Sequence, residues 1–158
     1  MVGKPLAKVA DTSGTTRDYL VGEFTYKGKS YLAYDTAGIK RKGQLHSIEK
    51  IAYDKTKSML EFVRPVVIFM VDCTQGITHR DMTLLQEIHS LALPIIFALN
   101  KVDLVNPKGI DAMLKNTQSY LEFAKYIPIV PMIATEGKGI ENVMKMVGIL
   151  QKENQKRI

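Results

Sequence analysis

The tetrapeptide Asn100-Lys101-Val102-Asp103 combines three side chains that can recognise a flat, hydrogen-bonding ligand. The ionised carboxylate of Asp103 can accept two parallel N–H bonds, such as those that the N1 and N2 edge of guanine offers. The stem of Lys101 can lie over the flat base, and Asn100 can join neighbouring loops. A polar turn after a strand would use the same residue types, so the tetrapeptide alone leaves both interpretations open.

The segment before the tetrapeptide predicts the element that positions it. Pro94–Leu99 is apolar and contains two Ile and a Phe, a pattern typical of a short strand that is buried on both faces. In open α/β sheets, ligands bind just beyond the carboxyl ends of the strands. The tetrapeptide therefore stands where a ligand site is expected.

Composition and charge limit the class of protein. The chain has 158 residues, 46% of them hydrophobic, which suits one domain with a substantial core. Its longest apolar runs, Pro65–Val71 and Leu91–Leu99, are far shorter than a membrane span of about 20 residues, and the N-terminus has no signal pattern. We therefore expect a cytoplasmic protein without a membrane partner. The net charge of +6 permits an anionic partner such as nucleic acid but does not require one.

The remaining elements follow from the apolar periodicity of the chain. Two β-favouring runs flank a glycine turn near the N-terminus and predict an antiparallel hairpin. Beyond the hairpin, predicted helices alternate with predicted strands, which indicates a parallel sheet with helices on both faces. The predicted strands are Tyr19–Tyr26, Ser30–Tyr34, Pro65–Val71, Leu93–Leu99 and Ile127–Ile133, and the predicted helices are Ser47–Phe62, Thr78–Leu91 with Thr78 as its cap, Pro107–Ala124 and Ile140–Lys152.

Two further polar segments carry residues that suit a phosphate and a metal ion. The second hairpin strand runs into Asp35-x-x-Gly38, where the carboxylate can hold the water shell of Mg²⁺ and the glycine lets a backbone N–H approach a phosphate. Upstream, Thr15 and Thr16 offer hydroxyls that could ligate the same metal. Each pattern is weak alone, but their order along the chain, followed by the Asn-Lys-x-Asp motif, is specific.

In this order the motifs resemble those of translation-factor-class GTPases, and more narrowly those of the second G domain of the Der (EngA) family. The residues that carry the resemblance are Ser13–Asp18, Tyr34–Gly43, Ile48–Lys50 and Asn100–Asp103. The basic run Lys40–Lys42, followed by Ile-Glu-Lys, separates the chain from Era-like and MnmE-like relatives. The resemblance covers nearly the whole chain.

The resemblance implies a P-loop NTPase-type G domain, with a mostly parallel sheet flanked by helices and a β-hairpin near the N-terminus. Its ligands would be GTP or GDP together with Mg²⁺. The implied contacts are Asn100, Lys101, Asp103 and the backbone of Ala134 for guanine, Asp35 and Gly38 in switch II, and Thr16 and Asp35 for the metal.

The sequence departs from the family pattern at three places. No Gly-x-x-x-x-Gly-Lys-[Ser/Thr] motif occurs in these 158 residues. We therefore expect residues 1–158 to form a single, N-terminally incomplete G domain that lacks the first strand and the phosphate loop and has no catalytic residue. Ile39 occupies the position of the glutamine that orients water in Ras-like enzymes. Ile133 replaces the serine that precedes Ala134 in the last family motif, which puts the support of that loop in doubt.

In the resembled domains, the first strand lies between the strand that ends at Asp35 and the strand Pro65–Val71. Its loss would leave two edges with unpaired N–H and C=O groups. Helices sized for a larger sheet repack poorly onto a smaller one. We therefore expect the two edges to stay apart and Val66–Val71 to show poor amide-exchange protection.

Two functions remain open at this point. The first is a GTP-binding domain that resembles the ribosome-assembly GTPase Der, inactive in hydrolysis as an isolated chain, with ribosomal RNA or the large ribosomal subunit as its partner. The alternative is a non-catalytic RNA- or protein-interaction module derived from a GTPase, which would use Lys40, Arg41 and Lys42.

Cys73 is the single cysteine, so an internal disulfide is excluded and a structural thiol is expected.

Overall fold

The structure, a computed structural model, describes the backbone of residues 19–36 and 46–156 and the side chains of residues 22–34 and 54–156. The chain divides into two compact units, Val2–Arg64 and Pro65–Ile158. After the hairpin, helix and strand alternate in the predicted order through four helices and three strands. Among the described helices, none has both the length and the apolar character that crossing a bilayer requires.

The first unit contains an antiparallel hairpin and one helix. Strands β1 (Tyr19–Tyr26) and β2 (Lys29–Thr36) pair along their whole length, which confirms the predicted hairpin. The two residues between them, Lys27 and Gly28, have φ of 48° and 77°. Positive φ at both positions is the geometry of a type I′ turn, whose twist matches that of the strands. Helix α1 follows at His46–Val63.

The second unit contains a three-stranded parallel sheet in the order β3-β4-β5. Strand β4 is the middle strand. One helix lies between β3 and β4 in the sequence and another between β4 and β5, as connections between parallel strands require. The strands are β3 (Val67–Asp72), β4 (Ile95–Asn100) and β5 (Ile129–Met132), and the helices are α2 (His79–Ser90), α3 (Pro107–Tyr120) and α4 (Ile140–Lys156).

The core of the second unit is built around β4. Residues Ile95–Leu99 are at most 3% exposed, which confirms the prediction of a strand buried on both faces. Phe97 stacks on Phe69 of β3 with ring centroids 5.6 Å apart. Burying a side chain of that size contributes about 1.5–3 kcal/mol. The strand that ends in Asn100 is therefore a rigid base for the residues that follow it.

Strand β3 differs from its prediction. The apolar run Pro65–Val71 predicted a buried strand, but Met70 is 44% exposed. Phe69 and Val71 are 8% and 2% exposed, and alternate side chains of a strand point to opposite faces, so β3 is buried on the face of Phe69 and Val71 and less buried on the face of Met70. Among the described strands, β3 pairs with β4 alone. The hairpin and the parallel sheet are separate sheets in the described part of the chain, and the exchange behaviour of the β3 edge stays a prediction.

The helix boundaries follow local signals. Helix α2 begins at a capping box: Asp81 N–H donates to Thr78 Oγ1 at 3.2 Å, and Thr78 N–H donates to Asp81 Oδ2 at 2.9 Å. Thr78 thus caps the helix as predicted. Helix α3 ends at Tyr120, four residues before its predicted end. Leu121 is its C-terminal cap, and the predicted last turn is a separate 3₁₀ turn, Glu122–Ala124.

Candidate functional site

The carboxyl ends of the parallel strands bring several predicted residues together. Asn100 ends β4 and lies in register with Asp72 of β3 and with Met132 of β5. The 3₁₀ turn Val102–Leu104 follows β4, and the 3₁₀ turn Ala134–Glu136 follows β5. Two of the predicted motifs therefore begin at adjacent strand ends on one edge of the sheet.

Asn100 joins the loops after β4 and β5. Its Oδ1 accepts a hydrogen bond from the backbone N–H of Ala134, with an N···O distance of 3.0 Å, in a partly buried position. A loop-joining role is what the sequence predicts for Asn100. The bond also uses the Ala134 N–H that the resemblance assigns to the guanine carbonyl. A bound guanine would therefore have to share this donor with Asn100.

The loop that presents Ala134 is held by its own backbone. Ile133 N–H donates to the carbonyl of Lys138 at 2.9 Å, which closes the loop as a short antiparallel bridge. Gly139 has φ of 82°, and a Cβ there would lie only 2.5 Å from the carbonyl oxygen of Pro131. This backbone bridge and close approach support the loop in which Ile133 replaces the serine of the family.

Lys101 turns the chain sharply at the end of β4. Its backbone is left-handed, with φ of 63° and ψ of 36°, which is uncommon for a residue other than glycine. Its ammonium lies 2.6 Å from Oδ2 of Asp72 at the end of β3. The side chains of Asn100 and Lys101 therefore contact opposite neighbours of β4: the loop after β5 and the end of β3.

Asp72 is a site residue that the sequence motifs do not indicate. Its Oδ1 accepts hydrogen bonds from Thr74 N–H at 2.9 Å and from Thr74 Oγ1 at 2.6 Å. The Lys101 ammonium, followed by these Thr74 donors, lowers the pKa of Asp72 to about 2. The available signal was that both apolar runs end in a polar residue, Asp72 in one and Asn100 in the other.

Asp103 lies exposed in the 3₁₀ turn after β4. The loop after β5 carries two charged residues, Glu136 and Lys138, that form an ion pair. Lys138 Nζ lies 2.7 Å from Glu136 Oε2, and the Glu136 carboxylate raises the pKa of Lys138, with a smaller contribution from the charge of Asp103. Asp103 is therefore an exposed carboxylate whose charge reaches the loop after β5.

Cys73 follows Asp72 directly and is 4% exposed. Burial, and then the negative charge of Asp72, raise the pKa of the Cys73 thiol. A buried thiol with a raised pKa is a poor nucleophile. These properties agree with the structural role expected for Cys73.

The residues predicted for the phosphate and the metal are only partly described. Asp35 lies in β2, where its backbone is in register with Leu20 of β1. Thr16, Gly38 and the basic run Lys40–Lys42 lie outside the described residues. Among the described side chains, those of residues 22–34 and 54–156, no group of three or more His, Cys, Asp or Glu is arranged to hold a metal ion. The phosphate and metal assignments therefore stay predictions.

Two curated proteins show what the sequence is similar to. GTPase Der of Persephonella marina is 29% identical over 161 residues, and GTPase Der of Solidesulfovibrio magneticus is 31% identical over 159 residues. Each alignment covers 100% of this chain and 36% of the relative, so the chain spans about a third of the length of these relatives. The predicted resemblance to Der is thus confirmed.

Solved structures with the same fold are also G domains. Era in complex with MgGDPNP and nucleotides 1506–1542 of 16S ribosomal RNA has a TM-score of 0.71 and 25% identity, over 95% of this chain and 49% of Era. The cytosolic domain of the T. maritima FeoB iron transporter in a GDP form has a TM-score of 0.60 and 27% identity, over 91% of this chain and 53% of that one. These similarities confirm the predicted fold class.

A family comparison completes the assignment. The family FeoB_N, described as "Ferrous iron transport protein B", matches residues 2–147, which is most of the chain. Its G-domain character agrees with the fold, with the Asn-Lys-x-Asp motif at the end of β4 and with the GTPase relatives. The chain therefore belongs to the FeoB_N family of G domains.

Proposed function

We propose that residues 1–158 belong to one G domain that binds a guanine nucleotide at the carboxyl ends of β4 and β5. The observation that carries this proposal is the hydrogen bond between Asn100 and Ala134. It joins two predicted guanine contacts from separate strands at the sheet edge where α/β proteins bind ligands. The GTPase names of the curated relatives support the same ligand.

Each residue of the site has a distinct role in this proposal. Asp103 accepts the N1 and N2 protons of guanine through its two carboxylate oxygens. The methylene stem of Lys101 covers one face of the base. Asn100 holds the loop after β5 close to β4, so that the backbone N–H of Ala134 lies near the guanine carbonyl.

The phosphate side of the proposal rests on Thr16, Asp35 and Gly38. Thr16 and Asp35 would hold Mg²⁺, and Gly38 would let a backbone N–H approach the terminal phosphate. When bound, Mg²⁺ would neutralise phosphate charge. The bound MgGDPNP of Era supports this ligand pair by similarity of fold.

We further propose that these 158 residues alone bind guanine nucleotides weakly. The backbone N–H groups and the lysine of a phosphate loop neutralise the β- and γ-phosphates, and the Gly-x-x-x-x-Gly-Lys-[Ser/Thr] motif that forms such a loop does not occur in the sequence. The few charge-assisted bonds of the base site do not offset the cost of immobilising the ligand. We expect a Kd above roughly 0.1 mM and no detectable GTP hydrolysis.

The cellular role we propose is ribosome assembly in the cytoplasm, with ribosomal RNA or the large ribosomal subunit as partner. The 16S ribosomal RNA bound to Era supports a ribosomal RNA partner. A second candidate is a non-catalytic RNA- or protein-interaction module. Lys40, Arg41 and Lys42 would supply the basic surface of such a module.

Titration with single nucleotides, followed by amide NMR, tests the guanine site. GMP should shift the amide signals of Asn100, Asp103 and Ala134, while AMP at the same concentration should leave them in place. The non-catalytic candidate predicts no response to GMP and a response to ribosomal RNA. Equal shifts with GMP and AMP, or shifts confined to other residues, would contradict the proposed site.

A further inference from the structure

The end of β3 holds a carboxylate that has no assigned role in nucleotide binding. Asp72 lies in register with Asn100, and both of its oxygens are occupied. Thr74 donates two hydrogen bonds to Oδ1, and the Lys101 ammonium lies 2.6 Å from Oδ2. Thr74 therefore holds the Asp72 side chain in place through Oδ1, and Asp72 in turn holds the Lys101 ammonium through Oδ2.

Lys101 is constrained at both of its ends. Its backbone has a left-handed conformation directly after the buried strand β4. Its ammonium is bound to Asp72, although the side chain of Lys101 is 47% exposed and that of Asp72 is 25% exposed. A lysine held only by its backbone would sample many rotamers in solvent. The pair reduces this freedom and directs the methylene stem from the end of β4 toward the end of β3.

We propose that Asp72 is a positioning residue for guanine recognition: it holds the Lys101 side chain in one conformation, with the ammonium neutralised and the apolar stem available to the base. This inference rests on the proposed guanine site. Ordering a long side chain before binding spares the entropy that binding would otherwise lose. Asp72 acts through Lys101 and needs no contact with the nucleotide.

The substitution Asp72→Asn tests this role with little change in shape. Asparagine keeps an oxygen that can accept both Thr74 bonds, but it loses the charge that binds Lys101. We expect GMP to bind about two- to tenfold more weakly, which corresponds to the cost of immobilising one long side chain. Thr74→Val, which removes one of the bonds that hold Asp72, should weaken binding in the same direction and to a smaller extent.

A double-mutant cycle separates positioning from a general structural role. In a Lys101→Met background, Asp72→Asn should have no further effect on the Kd for GMP, because the side chain that it positions is absent. A matched control is Glu122→Gln, which breaks the exposed ion pair between Glu122 and Lys125, 4.0 Å apart, away from the site. This control should leave GMP binding unchanged.

NMR relaxation of the lysine side chains gives a readout without nucleotide. In the wild-type chain, the Lys101 side chain should be more ordered than that of Lys125, and Asp72→Asn should remove the difference. Unchanged GMP binding by Asp72→Asn, an equal loss in the Lys101→Met background, or a mobile Lys101 in the wild type would overturn the inference. Absence of GMP binding by the wild-type chain would contradict the proposed function itself, and the inference with it.

Discussion

Strands β3 and β4 have six residues each, apolar until their last position, yet their environments differ. Every residue of Ile95–Leu99 in β4 is at most 3% exposed, whereas Met70 in β3 is 44% exposed. Phe69 and Val71 of β3 are 8% and 2% exposed, so β3 is well buried on one face, whereas β4 is buried on both faces. An apolar run thus specifies a strand, and the packing against each face decides how far its side chains are buried.

The carboxyl ends of the same two strands differ in function as well. Asn100 at the end of β4 binds the loop after β5, while Asp72 at the end of β3 binds Lys101. The buried strand therefore carries the proposed ligand contacts, and the more exposed strand carries the residue that orders one of them. Substitutions in each strand should separate these contributions.

The largest expected effect is on stability and distinguishes the two strands. Phe97→Ala in β4 should lower the free energy of unfolding by about 3–5 kcal/mol, because it leaves a cavity at a fully buried position. Met70→Ala in β3 should cost less than about 1 kcal/mol, because Met70 is 44% exposed and its truncation leaves no enclosed cavity. Urea denaturation of both variants measures the difference. Equal losses would show that β3 is as buried as β4 in solution.

The loop after β5 should tolerate no side chain at Gly139, where it approaches the backbone of β5. Gly139→Ala should cost about 1–2 kcal/mol for its left-handed backbone, and about 1–3 kcal/mol more because its new Cβ meets Pro131 and Met132. Gly137→Ala is the matched control, since its φ is also positive but no atom lies within 4 Å of its Cβ position. Similar costs for the two substitutions, measured by urea denaturation, would argue against the close approach at Gly139.

Amide exchange sharpens the comparison residue by residue. Val67 N–H donates to the carbonyl of Pro94, just before β4, and Cys73 N–H donates to the carbonyl of Asn100 at its end. The alternating N–H groups of Ile68 and Met70 therefore point away from β4. We expect the amides of Ile68 and Met70 to exchange at least about tenfold faster than those of Ile96 and Ala98. Exchange that is equally slow in both strands of a monomer would mean that the β3 edge is paired.

The smallest expected effect concerns acid stability. The pKa of Asp72 lies at about 2 in the folded chain, below its ordinary value of 3.8. A lowered carboxyl pKa stabilises the folded state above pH 3.8, and this contribution is lost as the pH falls toward 2. Asp72→Asn should therefore unfold at lower urea concentration than the wild type near neutral pH, and the two should converge in strong acid. A constant difference across this range would contradict the lowered pKa.

The sequence predicted those features that depend on a single segment. The apolar run Pro94–Leu99 predicted the buried strand, and Thr78 predicted the start of α2. Each of these two signals lies within a few residues of the feature that it specifies. The Asn-Lys-x-Asp motif also predicted that Asn100 joins neighbouring loops, although it did not name the partner, Ala134, which lies on a distant segment.

The features that sequence reasoning missed depend on two distant segments. The contact between Asp72 and Lys101 exists because β3 and β4 pair in a register that aligns Asp72 with Asn100. The exposure of Met70 depends on what packs against its face of β3. The apolar pattern within one segment carries no information about strand register or about packing by distant segments, so neither feature could be derived from that pattern alone.

The most direct test of the guanine site is an exchange of base preference at Asp103. Asp103→Asn replaces one carboxylate acceptor with an N–H donor, which suits the carbonyl at position 2 of xanthine. The wild-type chain should bind GMP more tightly than XMP, and Asp103→Asn should bind XMP more tightly than GMP. We expect the two Kd values to differ about tenfold or more in each case, because one charge-assisted hydrogen bond contributes a free energy of that size. Asp111→Asn, an exposed carboxylate on α3, is the matched control and should keep the preference for GMP. Reversal of the preference by Asp103→Asn alone is the predicted result, and an equal loss of GMP and XMP binding in that variant would contradict guanine recognition by Asp103.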